Sequence, residues 1–143
     1  MPSAIDVAQY ILEHRGPMTV MKMQKLVYYS QAWSIVWDDA QLFPEPIEAW
    51  DNGPVVRALW EATRGHFKVG GVPGGNSNNV QGVQQDTVAL VLDFYGDKDA
   101  QWLSDLTHME APWAEAYARG RNTEITLDRI SEYYSTLSQN VEA

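Results

Sequence analysis

The chain has 143 residues, no cysteine, and nineteen acidic against ten basic side chains, a formal charge of −9. That length suits one domain with its own core, expected to span residues 1–143. Without cysteine there can be no disulfide framework, thiolate zinc site or cysteine nucleophile.

Ser3 followed by Asp6 reads as a capped helix start. Ala4, Val7, Ala8, Ile11 and Leu12 then recur at helical spacing, with Asp6, Gln9 and Glu13 on the other side. Gly16-Pro17 ends that helix, and a second is expected from Thr19 to about Trp37. Its first half sets Lys22, Gln24 and Lys25 against Met23, Leu26 and Val27; from Tyr28 onward it is apolar or small on nearly every side. A helix of that kind is surrounded by others, so it is the expected spine of the core. Pro44 and Pro46 keep the next stretch extended, and Ile47–Trp50 reads as a short strand. Asp51-Asn52-Gly53-Pro54 is a turn, with a helix expected over Val55–Arg64.

Residues 70–82 hold five of the ten glycines, which predicts a flexible Gly/Asn-rich loop at about 69–85. Beyond it, Asp86 or Thr87 begins a helix with Val88, Val91, Leu92 and Tyr95 on one face. Asp97 is expected to cap the next helix, which carries Ala100, Leu103 and Leu106. Pro112 precedes a short helix ended by Gly120. Thr126 caps the last helix, whose expected buried stripe is Leu127, Ile130, Tyr134 and Leu137. The expected fold is mainly α: a compact single-domain helical bundle around a central apolar helix. At most a small two- or three-stranded β element lies near residues 42–50.

No apolar run approaches the roughly 20 residues of a membrane helix, and the N-terminus lacks a basic-then-apolar leader pattern. A cytoplasmic protein without membrane contact is expected. Residues 86–143 carry eleven acids against four bases, a net −7. Phosphate binding needs clustered Lys and Arg, so nucleic acid is not an expected partner.

Catalytic and metal templates fail. His14, His66 and His108 are far apart, and His-Glu-x-x-His, Gly-x-Ser-x-Gly and Gly-x-x-x-x-Gly-Lys are all absent. No metal, cofactor or catalytic residue is expected. Thr107 and His108 close a helix, with Glu110 within reach of the imidazole. They read as a structural corner at Pro112-Trp113, or alternatively as the acid-base part of a hydrolase-like site with Asp105. Trp33 and Trp37 read as core. Of Trp50, Trp60, Trp102 and Trp113, at least one is expected at a partner surface, since exposed aromatics anchor interfaces.

Three segments carry a resemblance: Met23-Gln24-Lys25-Leu26-Val27-Tyr28-Tyr29-Ser30-Gln31-Ala32-Trp33, Ala49-Trp50-Asp51-Asn52-Gly53-Pro54-Val55-Val56, and Leu103-Ser104-Asp105-Leu106-Thr107-His108-Met109-Glu110-Ala111-Pro112-Trp113. In order and spacing they resemble the SocA-like antitoxin domain, also called the Panacea domain and earlier the GepA or phage-associated family. Val27, Ser30 and Arg57 depart from its commoner Leu, Ala and Pro. The resemblance implies an antitoxin that neutralises a toxin encoded beside it, generally by direct contact. One branch of the family delivers its toxin to a bacterial protease, so a protease is a second implied partner. The family has no established catalytic residues to carry over. The expected partner surface comprises Trp50, Asn52, Gly53 and Arg57 at the turn, and Thr107, His108, Glu110 and Trp113 at the corner. The alternative is a phage or mobile-element protein with hydrolase-like activity using His108 and Glu110.

Overall fold

The computed structural model describes residues 1–142, with side chains as far as residue 139. The first helix, α1 (Ala4–Arg15), opens on a reciprocal capping box. Ser3 Oγ accepts from the Asp6 amide at 3.1 Å, and Asp6 accepts from the Ser3 amide at 3.0 Å. Two amides that the helix cannot pair internally are thereby satisfied. A two-residue strand, β1 (Met18–Thr19), follows and pairs antiparallel with β4 (Lys68–Val69).

Thr19 caps the central helix, α2 (Val20–Asp38), accepting from the Lys22 amide at 3.2 Å. Every residue from Met23 to Ser34 is buried. The expected spine is therefore surrounded: α1, α4 (Val83–Tyr95), α5 (Ala100–His108) and α7 (Leu127–Glu142) all pack on it. The fold is a mainly α bundle around that helix, as the apolar pattern implied.

Strand β2 (Ile47–Trp50) lies between β3 (Gly53–Val56) and β5 (Thr123–Ile125) in an antiparallel sheet. The position of the first strand matches expectation, but the segment after it does not. Pro54–Val56 belongs to β3, and helix α3 covers only Arg57–Ala62 instead of Val55–Arg64. The reason is the Gln24 side chain, which acts as a third backbone beside β3. It accepts from the Val56 amide at 3.0 Å and donates to the Val56 carbonyl at 3.2 Å. Pro54, lacking an amide hydrogen, fits an edge strand.

Other boundaries shift for similarly local reasons. Helix α4 starts at Val83, before the expected Asp86. Asp99, not Asp97, caps α5, accepting from the Trp102 amide at 2.8 Å. Asp97 instead meets Arg15 at 3.1 Å. Helix α6 (Ala111–Arg119) takes Pro112 in its first turn, where no amide hydrogen is needed. Thr126 accepts from the Arg129 amide at 3.2 Å at the start of α7. Ile130 and Tyr134 are fully buried, whereas Leu127 is 37% exposed. Trp37 is 45% exposed, against the core reading, with one face on Trp33 at 4.9 Å.

The Gly/Asn-rich segment is fastened to α1 by residues that its pattern assigned to solvent. Asp6 accepts from the Asn76 amide at 2.9 Å and the Asn79 side chain at 3.1 Å. Gln9 accepts from the Val72 amide at 2.8 Å. Val72 and Val80 are both buried in the core.

Candidate functional site: the cleft beside the Asp51–Pro54 turn

Asp51 and Asn52 link β2 to β3, with Trp50 paired to Gly53 across the hairpin. Gly53 has φ +119°, a conformation that side chains rarely adopt. A Cβ there would also stand 2.5 Å from Lys25 Cε and 2.9 Å from Thr107 Oγ1. Glycine is thus required twice, once by the backbone and once by its neighbours.

Side chains from three helices hold the backbone of this turn. From α6, Trp113 Nε1 donates to the Trp50 carbonyl at 2.8 Å. From α5, Ser104 Oγ donates to the Asn52 carbonyl at 2.7 Å. From α2, Lys25 Nζ donates to the Pro54 carbonyl at 3.2 Å. The segments Met23–Trp33, Ala49–Val56 and Leu103–Trp113 therefore meet at one place.

Lys25 is 1% exposed. Its pattern position, with Lys22 and Gln24, suggested a solvent-facing side, yet Gln24 is also buried and only Lys22 reaches the surface. No carboxylate pairs with the Lys25 amine among the described residues. Burial pulls its pKa down to about 7, because an ammonium removed from water loses hydration. Sequence reasoning passed over this residue. The available signal was its place one turn before the stretch from Tyr28 onward that is apolar or small on nearly every side.

In front of Lys25 opens a cleft of about 460 Å³, whose lining includes Val20, Gln24, Trp50, Trp60 and Arg121. The indole rings of Trp50 and Trp60 lie 5.3 Å apart. At the rim, Asp51 accepts from Tyr117 at 2.7 Å and from Arg121 at 2.9 and 2.6 Å. The Tyr117 and Arg121 bonds hold its carboxyl below the usual range. Beside the cleft, exposed Arg57 grips Glu48 through two bonds of 3.2 and 2.9 Å. The Arg57 guanidinium also lies 5.3 Å from the Trp50 ring centroid.

The eight expected site residues divide by depth. Asn52 and Arg57 are exposed and Trp50 half-buried around the cleft. Gly53, Thr107, Glu110 and Trp113 are buried, and their contacts are within the chain. His108 is half-buried and stacks on Trp113 at 4.0 Å, while its buried Nε2 has no partner among the described residues. Glu110 does not orient that ring: no hydrogen bond or ion pair joins the two. Its carboxylate instead accepts from Tyr29 and Tyr134, each at 2.7 Å. Since the Tyr134 proton is committed to Glu110, Tyr28 is the donor in the 3.0 Å contact between the two tyrosine hydroxyls. Burial pushes the Glu110 carboxyl up, and the Tyr134 and Tyr29 bonds partly offset that. Asp105 is exposed and accepts from Gln101 at 2.8 Å.

Among the described residues no group of three or more His, Asp or Glu side chains is placed to hold a metal ion. No described helix is long and apolar enough to cross a membrane. The arrangement is a rigidly backed cleft with aromatic walls, a form suited to binding.

The family model for the SocA-like antitoxin, Panacea domain matches residues 23–114, more than half of the chain. The protein belongs to that antitoxin-like family. The match begins two residues before Lys25 and ends one after Trp113, so it contains all three segments that meet at the turn. No curated protein and no solved structure matches the chain.

Proposed function

We propose that this protein is an antitoxin that neutralises a toxin by direct contact, through the surface around Trp50, Asn52 and Arg57. The observation that carries this reading is the cleft beside the turn. Half-buried Trp50 and Trp60 line it and exposed Arg57 lies beside it over the Trp50 ring, residue types that dominate interface energetics. The turn behind it is held by bonds from Lys25, Ser104 and Trp113, so little order remains to be imposed on binding. Family membership supplies the toxin–antitoxin role, and the partner is met in the cytoplasm. Delivery of the toxin to a bacterial protease is the finer form of this reading and rests on the family resemblance.

Co-expression with the product of the neighbouring gene tests the proposal. The expected result is relief of toxicity and co-purification of the two chains, with Arg57→Glu weakening the complex about tenfold or more. No relief and no complex with the wild-type chain would overturn it. The hydrolase-like alternative gains no support at the corner, because Glu110 is engaged by Tyr29 and Tyr134 instead of His108.

A further inference from the structure

Lys25 is almost wholly buried, yet it lines an open cleft and pairs with no acidic side chain among the described residues. Its one hydrogen bond among the described residues, to the Pro54 carbonyl, leaves donor capacity unused. A buried cation in that state is costly, and an incoming carboxylate would offset the cost with a charge-assisted bond. The walls in front of it are apolar and aromatic, from Val20, Trp50, Val55 and Trp60. At the mouth stands Arg121, 73% exposed, whose pairing with Asp51 is a surface one. Within a chain of net charge −9, the cleft groups Lys25, Arg121 and Asp51 leave a local excess of one positive charge once Lys25 is protonated.

We propose that this cleft is the receptor for a carboxylate-bearing apolar segment of the protein partner, with the carboxylate on Lys25 and the apolar part against the wall formed by Trp50 and Trp60. The idea rests on the antitoxin reading for the identity of the partner, and deepens it by naming what the cleft recognises. Its volume of about 460 Å³ lies in the ordinary range for ligand sites and accommodates one large side chain with its carboxylate. Selectivity follows from the floor. An amide or an alcohol in the same position cannot neutralise the ammonium, so acids are preferred over their amides.

Binding draws a proton onto Lys25, whose pKa of about 7 leaves much of the amine neutral before the acid arrives. Of the charged and titratable groups on the elements around it, Asp51 and Arg121 line the cleft, Glu48 lies on β2, Arg57 on α3, and Asp105 and His108 on α5. Asp51 is paired with Arg121 and Glu48 with Arg57. Asp105 faces solvent, and His108 stacks on Trp113.

The test uses the full chain and two probes, N-acetyl-L-phenylalanine and its amide, titrated while the indole N–H signals of Trp50 and Trp60 are followed by NMR. The acid is expected to shift both signals and to bind about tenfold tighter than the amide. Lys25→Met should reduce the acid to the affinity of the amide. Should that variant not fold, the Lys25 Cε resonance of the wild type serves instead, and its pKa should rise when the acid is saturating. Equal binding of acid and amide, no indole shift, or an unchanged Lys25 pKa would overturn the proposal. Full relief of toxicity by a folded Lys25→Met chain would overturn it as well. Failure of the wild-type chain to relieve toxicity is a separate result, which counts against the antitoxin reading.

Discussion

Lys25 Cε occupies the space in which a Cβ on Gly53 would sit, 2.5 Å away, while Lys25 Nζ bonds the carbonyl of the next residue, Pro54, at 3.2 Å. One lysine therefore both requires the glycine and braces the strand that follows it. The turn and the central helix act as one unit, and the cleft is built on that unit.

Replacement of Gly53 should be costly for two separable reasons. Gly53→Ala is expected to destabilise the fold by about 2–4 kcal/mol, adding overpacking against Lys25 and Thr107 to a positive-φ penalty. A shortened neighbour relieves only the packing part. In chemical denaturation, the cost of Gly53→Ala should be smaller in a Lys25→Ala background than in the wild type, yet still above zero.

Lys25 should give stability an unusual dependence on pH. Its folded pKa is lowered to about 7 from an unfolded value of 10.5. Between those values the unfolded chain binds more protons, so stability rises with pH, by up to about 1.4 kcal/mol per pH unit. The penalty is fully present below about pH 7 and is relieved toward pH 10. Denaturation midpoints measured from pH 6.5 to 9 should rise for the wild type relative to Lys25→Met, which lacks the titrating group.

Glu110 should behave in the opposite sense. Burial raises its carboxyl, so the folded state binds the proton more tightly, and its contribution weakens as pH rises above the usual 4.5. Glu110→Gln should then cost less stability at pH 7 than at pH 4. Glu110→Ala should cost more than Glu110→Gln at both pH values, about 2–4 kcal/mol at pH 4 and less at pH 7, since it leaves the Tyr29 and Tyr134 hydroxyls without their acceptor. Thermal melts of the three chains at both pH values check this.

His108 tests the rival chemistry. Its buried Nε2 has no partner among the described residues and its ring stacks on Trp113. His108→Phe keeps the stack and removes the unpaired atom, so stability should stay within about 1 kcal/mol of the wild type. Relief of toxicity should be retained. A folded His108→Phe chain that loses function would return the corner to consideration as a reactive site.

Much of this molecule was legible in its sequence wherever the physics is local. The Ser3–Asp6 capping box, the helix start at Thr19, the turn at Asp51–Pro54 and the surrounded character of α2 depend on residues within a few positions of each other. Family membership was legible for the same reason, as three short segments in order. What lay beyond sequence is which of those residues touch. Gln24 claimed the backbone of Val56 and turned an expected helix start into strand, across a separation of 32 residues. Periodicity misplaced Lys25, because the exposed side of the helix that Lys22 occupies is covered from Met23 onward by elements distant in sequence. The reach of Tyr29 to Glu110 and of Trp113 to Trp50 likewise spans 81 and 63 residues. The sequence determined an acidic, helical antitoxin-like chain; packing alone decided that its three marked segments close around one glycine, with a lysine buried at the floor of a cleft.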